Sequence, residues 1–256
     1  MRAADAGLGQ PGMAGLLTEV ERVLGNKVDS VEPIDGGYTP QVVSRLLFAN
    51  GETLVLKAVP PASLDARLDW PGELQREIEL YASHPELDRW RPELRAALAN
   101  GGWRGLLMED LGESLRPPPW TGAAVGSVAA GLAAMHESSI GAGHQIIHGD
   151  VRSDNLFLVP GRGLVLCDWA EATQGSALED AVYWAVGVEL EGGGQARDAF
   201  TRYTAVSGDA GEAAVHAAAN KLFLLNRQRL ERTDERVRVR ELRIRELAVL
   251  GRWLAA

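Results

Sequence analysis

The sequence predicts an α+β chain in two lobes, sheet-rich first and mostly helical second, with a cleft between them. Three observations carry this expectation. Short runs rich in Val and Leu, separated by turn signals, dominate the chain before residue 116. A breaker run, R-P-P-P-W at 116–120, then interrupts the pattern. After it, Ala- and Leu-rich stretches carry apolar groups at helical spacing.

The elements follow in order. Residues 1–12, rich in Gly and Ala, read as a flexible tail. M-A-G-L-L-T-E-V-E-R-V-L at 13–24 has the period of an amphipathic helix. V-D-S-V-E-P-I around 28–34, Q-V-V-S-R-L-L-F from 41 and T-L-V-L-K-A-V from 53 are extended. The turn-like G-G-Y-T-P and A-N-G-E between them make an antiparallel meander the economical reading. P-G-E-L-Q-R-E-I-E-L-Y at 71–81 opens with Pro in a first turn and predicts a helix, with Leu74, Ile78 and Tyr81 near one face. The Gly-flanked strand W-R-G-L-L-M-E-D-L follows, giving a first lobe over 13–108, a hinge over 109–115 and a second lobe over 116–256. In V-G-S-V-A-A-G-L-A-A-M-H, Val125, Val128, Leu132 and Met135 form a stripe. Short strands L-F-L-V and G-L-V-L-C bracket the turn P-G-R-G, and the chain is helical again from about 178 to 254.

Bulk properties narrow the function. The 256 residues are 46% hydrophobic and 24% charged, as in a folded globular chain. Twenty-six Lys plus Arg against 35 Asp plus Glu give a formal charge of -9, which argues against a nucleic-acid partner and leaves room for a cationic small one. Cys167 is the single cysteine, so neither an intrachain disulfide nor a Cys-x-x-Cys site is available. With no run of 18 apolar residues and no apolar segment of a secretory signal near the start, the expectation is a cytoplasmic protein without a membrane partner. Monomer and homodimer both stay open.

The octapeptide H-G-D-V-R-S-D-N at 148–155 carries the chemistry. Asp150 and Asn155 lie five residues apart, and Asp168 follows 13 residues after Asn155, at the end of G-L-V-L-C-D. Phosphoryl transfer needs one carboxylate beside the attacking hydroxyl and oxygen donors for a metal ion. Asp150 can accept the hydroxyl proton, while Asn155 and Asp168 can hold one or two magnesium ions. Zinc would want more His or Cys than these residues provide. His148 reads as an organiser of the loop, and Arg152 as a phosphate contact or a loop salt bridge.

Lys57 stands in a strand, and Glu77, 20 residues later, sits on a helix from which it could orient the ammonium toward a phosphate. Glu73, one turn earlier, competes for that role. An ordinary surface Lys and a solubilising Glu cluster are the bland alternatives. Gly36 and Gly37, followed by Tyr38 and Thr39, could bring backbone donors close to phosphate oxygens. Neither G-x-x-x-x-G-K-[ST] nor a full G-x-G-x-x-G is present, so a plain hairpin turn competes there.

In this order the motifs resemble those of the aminoglycoside phosphotransferase and choline kinase-like superfamily, in its small-molecule branch, whose members share the two-lobed protein-kinase fold. H-G-D-V-R-S-D-N is similar to its catalytic loop and L-V-L-C-D-W-A to its metal-binding strand and loop. The resemblance implies Asp150 as catalytic base and Asn155 and Asp168 as metal ligands. It further implies Lys57 as the phosphate anchor, Glu77 as its partner, and Asp180 as a support of the second lobe. L-L-M-E-D-L-G resembles the lobe connection, which places Met108 beside an adenine pocket and the backbone of Glu109 and Leu111 at the base edge. ATP or GTP and Mg2+ are the implied cofactors. G-G-Y-T-P, ending in Pro40, departs from the nucleotide loop of relatives.

After D-W-A the chain runs through E-A-T-Q-G-S-A-L-E-D into a helix without an A-P-E segment, which favours a small-molecule hydroxyl acceptor over a protein. The resemblance makes an aminoglycoside or related amino-containing natural product the lead, with Glu171, Glu179, Glu189 and Glu191 available to balance its charge. Choline, sugar, nucleoside, macrolide and peptide-antibiotic acceptors remain. The Arg-rich region 227–245 points instead to a neutral or acidic acceptor if part of it faces the cleft. A catalytically silent nucleotide-binding domain is the alternative of a different class.

Overall fold

Strand alternation organises the first part of the chain. The structure, a computed structural model, describes residues 12–34, 41–60, 70–112, 114–141, 144–208, 210–231 and 237–255. Strands β1 (Val28–Pro33), β2 (Val42–Phe48), β3 (Thr53–Val59), β4 (Leu94–Asn100) and β5 (Trp103–Glu109) form one antiparallel sheet in the order β1-β2-β3-β5-β4. Successive side chains point to opposite faces. Leu54, Leu56 and Ala58 of β3 therefore join Phe48, Trp103 and Leu107 in one apolar cluster, which helix α1 (Met13–Leu24) covers with Met13, Leu16 and Val20. Val59 lies on the other face with Leu106 and Met108, packed against Leu74 and Tyr81 of helix α2 (Trp70–Ser83). Lys57 has the parity of Val59, so it shares the α2 face.

β4 has no counterpart in the sequence reading. L-R-A-A-L-A-N is rich in residues that favour helix, and the segment is a strand because it pairs along the whole length of β5. The turn containing Gly36 and Gly37 lies outside the described residues, as do Tyr38, Thr39 and Pro40.

The chain divides into two compact units. Residues up to Asp88 with Pro92–Gly112 form one; Arg89–Arg91 and the chain after Gly112 form the other. Arg162 holds the short segment to the second unit by donating to the carbonyls of Arg89 and Arg91.

The second unit is built on helix α3 (Gly122–Ser138), whose N-cap Thr121 accepts the Ala124 amide at 3.1 Å. Its Val125, Val128, Leu132 and Met135 stripe is buried. Strands β6 (Ile140–Gly141) and β7 (His144–Ile147) precede the octapeptide loop; β8 (Leu156–Val159) and β9 (Gly163–Leu166) make the hairpin after it. β10 (Thr173–Gly175) returns to pair with β7. Among the described residues, four helices complete the unit: α4 (Ala177–Leu190), α5 (Ala196–Ser207), α6 (Glu212–Leu230) and α7 (Val237–Ala255). α4 begins with a capping box in which Ser176 and Glu179 satisfy each other's backbone amides. No helix among the described residues is long and apolar enough to cross a membrane.

Candidate active site

In the first unit, Lys57 Nζ donates to Glu77 Oε2 at 2.6 Å, and the two residues are 6% and 0% exposed. Glu77 falls three residues after Leu74 and four before Tyr81, so helical spacing sets it on the buried face of α2. Burying two charges is tolerable only when they pair. This carboxylate therefore holds the ammonium in one place. The sequence alone could not choose between Glu77 and Glu73; the structure pairs Lys57 with Glu77.

At the end of β5, Met108 is buried and receives the Tyr81 hydroxyl on its sulfur at 3.7 Å. The Glu109 amide donates to the Glu93 carbonyl at 2.9 Å. Arg45 grips Asp110 through Nε at 2.6 Å and Nη2 at 3.2 Å, and Asp110 Oδ1 also accepts the Gly112 amide at 3.0 Å. Burial would raise the Asp110 carboxyl, but the Arg45 guanidinium and the Gly112 amide hold it below its ordinary value. This clamp fixes the backbone on either side of Leu111.

In the second unit, the octapeptide loop is tied down from three directions. The His148 amide donates to Asp180 Oδ2 at 2.7 Å and the Gly149 amide to Oδ1 at 2.8 Å, so one carboxylate takes both. His136 Nε2 approaches the same Oδ2 at 3.1 Å, and its Nδ1 lies 3.1 Å from the Tyr203 hydroxyl. Asp180 is 1% exposed. Burial alone would raise its pKa, yet the hydrogen bond and charge of His136, with the His148 amide, lower it.

The His148 tautomer follows from its neighbours. Its Nδ1 receives the Asp150 amide at 3.2 Å and its Nε2 faces the Cys167 carbonyl at 3.0 Å. A carbonyl only accepts and an amide N–H only donates, so Nε2 carries the proton and the ring is neutral. The imidazole thereby joins the loop to the strand before Asp168. Trp169 closes against it edge to face, with ring centroids 4.6 Å apart.

Asn155 Nδ2 donates to both the Asp150 carbonyl, at 3.0 Å, and Asp150 Oδ2, at 2.9 Å. Spending the amide nitrogen this way leaves Asn155 Oδ1 as the oxygen available to an ion. Asp168 has φ 63°, the single positive value outside glycine among the described residues. Such strain is held where surrounding structure fixes it, and it is common where a side chain must be aimed. An oxygen-only pair, with other positions left to water and phosphate, fits magnesium. Among the described residues, no cluster of three or more His, Cys, Asp or Glu could hold a metal without such help.

Asp150 retains 21% side-chain exposure. Burial raises its carboxyl above the ordinary value; Arg152 opposes that shift, and Asp168 and Asp154 reinforce it. Arg152 itself is bound to Asp154 through Nε at 3.0 Å and Nη2 at 2.8 Å, the loop salt bridge of the two readings. Its nearest approach to Asp150 is 3.8 Å.

The four glutamates expected to balance a cationic acceptor have other partners. Glu171 pairs with Arg229 at 3.5 Å and Glu179 with Lys221 at 2.6 Å. Glu189 caps α5 through the Ala196 amide and pairs with Arg252, and Glu191 accepts from Ser153 and Trp120. Sequence reasoning also left His136 and Tyr203 unassigned. No local signal joins His136 to Asp180 across 44 residues; its place one turn after Leu132 on the buried stripe was the available hint.

No protein-family model matches the sequence, and no curated protein matches it. Solved structures do resemble it. An aminoglycoside 2'-phosphotransferase bound to GDP superposes with a TM-score of 0.67 at 13% identity, over 96% of this chain and 99% of that one. A spectinomycin phosphotransferase in complex with ADP and spectinomycin gives 0.64 at 9% identity, over 95% of each chain. A choline kinase from Streptococcus pneumoniae gives 0.62 at 14% identity, over 94% of this chain and 99% of that one. The chain therefore has the protein-kinase-like α+β fold shared by these small-molecule phosphotransferases.

Proposed function

We propose that the protein transfers the γ-phosphoryl group of ATP or GTP to a hydroxyl of a small molecule. The observation that carries the reading is the Asn155–Asp150 contact, in which one side chain orients a carboxylate while presenting its own oxygen to an ion. The fold likeness to enzymes that phosphorylate small molecules supports it. The buried Lys57–Glu77 pair supports it further, since an ammonium anchored in this way suits phosphate oxygens.

In this reading Lys57 binds phosphate oxygens, and the backbone of Glu109 and Leu111 holds the base edge beside Met108. Gly36 and Gly37 belong to the same proposal as backbone donors to phosphate. Asn155 Oδ1 and the Asp168 carboxylate would hold Mg2+, which would supply charge neutralisation for the phosphates. Asp150 orients the acceptor hydroxyl and takes its proton as the oxygen–phosphorus bond forms. The bond from the γ-phosphorus to its bridging oxygen breaks, and a nucleoside diphosphate leaves. His148 and Asp180 position the loop without touching reactants.

An amino-containing acceptor, aminoglycosides included, was the lead from the resemblance. Glu171, Glu179, Glu189 and Glu191, the acidic side chains available to balance its charge, each have a partner within the unit. The decisive experiment incubates the chain with magnesium and γ-labelled ATP or GTP and follows label into hydroxylated acceptors. Transfer supports the enzyme; magnesium-dependent nucleotide binding without transfer to any acceptor would instead identify a silent nucleotide-binding domain.

A further inference from the structure

A second buried polar group in the same unit has no part in the scheme above. It comprises Tyr183 on α4, Asn226 on α6, and Arg243 and Glu246 on α7. Asn226 and Glu246 are each 4% exposed. The Tyr183 hydroxyl donates to Glu246 Oε1 at 3.3 Å, and Arg243 Nη1 donates to Asn226 Oδ1 at 3.0 Å. The other polar atom of each buried side chain, Glu246 Oε2 and Asn226 Nδ2, has no hydrogen-bond partner. Native proteins seldom leave buried polar atoms unsatisfied, and two in one cluster need a reason.

The cluster is tied to the loop that carries the proposed base: Tyr183 stands three residues after Asp180 on α4, on the same side of the helix, and Asp180 holds the amides of His148 and Gly149 next to Asp150. Burial raises the Tyr183 hydroxyl and the Glu246 carboxyl, and the negative charge of Asp150 adds to both shifts. Arg243 acts on both groups in the opposite sense. An acceptor long enough to extend from Asp150 along this side of α4 would meet the cluster.

The two orphaned atoms differ in kind. Glu246 Oε2 seeks a donor when ionised, and Asn226 Nδ2 seeks an acceptor. An ammonium only donates, so it would leave Asn226 Nδ2 unmet while facing the charge of Arg243. A carboxylate or phosphate only accepts, so it would leave Glu246 Oε2 unmet while facing the charges of Glu246 and Asp150. A hydroxyl both donates and accepts and brings no charge.

We propose that Glu246 and Asn226 form an acceptor-recognition subsite that reads neutral hydroxyl groups, so that the acceptor is a neutral polyol or sugar and not an amino compound. This rests on the phosphotransferase reading of Asp150. Glu246 and Asn226 select the acceptor and take no part in bond making.

The test is transfer from magnesium-ATP to a panel of similar size: myo-inositol and methyl α-glucoside as neutral members, glucosamine and 2-deoxystreptamine as cationic ones, and gluconate as the anionic one. Neutral members should exceed charged ones by about tenfold or more in kcat/KM. Glu246→Gln, which keeps an oxygen for Tyr183, should raise the KM for the neutral acceptor about tenfold and leave the nucleotide KM within about twofold. A purely structural role would lower the melting temperature without that split. Asn226→Asp supplies a second readout that misfolding cannot imitate, a gain of about tenfold in preference for glucosamine over methyl α-glucoside.

Preference for a charged member, absence of transfer to both neutral members, or unchanged acceptor KM in Glu246→Gln each overturns the subsite. If the chain binds no magnesium nucleotide, the phosphotransferase reading fails and this inference falls with it. If it binds the nucleotide and phosphorylates glucosamine best, this inference alone fails.

Discussion

The carbonyl oxygen of Glu171 lies 2.6 Å from where a Cβ on Gly149 would stand, and Gly149 has φ 79°. Both facts explain the glycine between His148 and Asp150. The left-handed conformation turns the chain so that the amides of His148 and Gly149 reach Asp180 together, and the close approach of Glu171 leaves no room for a side chain.

Gly149→Ala is therefore expected to destabilise the chain by at least the cost of placing an L-residue in the left-handed region, about 1–2 kcal/mol. Displacement of the loop should add to it and remove most activity. Gly126→Ala is the control, since Gly126 lies within α3 with nothing within 4 Å of its added Cβ. It should gain about 0.5–1 kcal/mol from helix propensity. Urea denaturation of both variants checks the contrast; equal midpoints would remove the steric account of Gly149.

Asp180 makes stability depend on acid. Its folded pKa is lowered, because the hydrogen bond and charge of His136 and the hydrogen bond from the His148 amide outweigh its burial. A lowered carboxyl contributes stability that is complete above the unfolded value, about 3.9, and is lost as pH falls through the folded one. Asp180→Asn should cost about 3 kcal/mol at neutral pH, because one loop amide then meets an NH2 group and His136 loses its carboxylate. Below about pH 4 the difference between variant and parent should narrow. Denaturation midpoints measured from pH 7 down to pH 3 test this; a difference independent of pH would show that the Asp180 charge is not what matters.

What was legible in the sequence was what local chemistry dictates. The alternation in T-L-V-L-K-A-V gave β3, and the spacing of Leu74, Ile78 and Tyr81 gave α2. The octapeptide is contiguous, so Asp150 and Asn155 could be associated before their contact was seen. β4 was hidden because its strand character comes from β5, not from its own residues. The clamp from His136 through Asp180 to the loop amides was hidden by sequence distance, as were the cations that occupy Glu171, Glu179 and Glu189. Long-range pairing decides which charges remain for a ligand, and composition records only how many there are.

The Lys57–Glu77 pair gives a prediction that separates anchor from support. Lys57→Ala removes the ammonium and takes from a fully buried carboxylate the positive charge bonded to it, so stability should fall by about 3–5 kcal/mol and transfer by about a hundredfold or more. Glu77→Gln keeps an oxygen for the ammonium and should cost transfer only about tenfold. Steady-state rates and melting temperatures on the same preparations decide it. If Glu77→Gln proves as damaging to transfer as Lys57→Ala while folding normally, Glu77 does more than orient Lys57.

Asp150 and Asp168 are both candidate carboxylates of the second unit, yet the proposed roles differ and so should their variants. Asp168 is proposed to hold magnesium, so Asp168→Asn removes a ligand charge and should abolish turnover while weakening magnesium-dependent nucleotide binding. Asp150 is proposed to take a proton from the acceptor. Its Oδ2 is already bonded to Asn155 Nδ2 at 2.9 Å, and an asparagine placed there can keep that contact through its own oxygen. Asp150→Asn should thus bind magnesium nucleotide within a few-fold of the parent, where tenfold corresponds to about 1.4 kcal/mol. Acceptor phosphorylation should fall by about 10²–10⁴, the range for losing a general base. Calorimetry with and without magnesium, beside product formation on the same folded samples, reads both quantities. Parent-like product formation in Asp150→Asn would reject it as the base, and unchanged magnesium dependence in Asp168→Asn would reject it as the ligand. A large loss of nucleotide affinity in Asp150→Asn would have a different meaning: the Asn155 contact, and with it the aim of Oδ1 toward the ion, depends on the charge of Asp150 and not only on its shape.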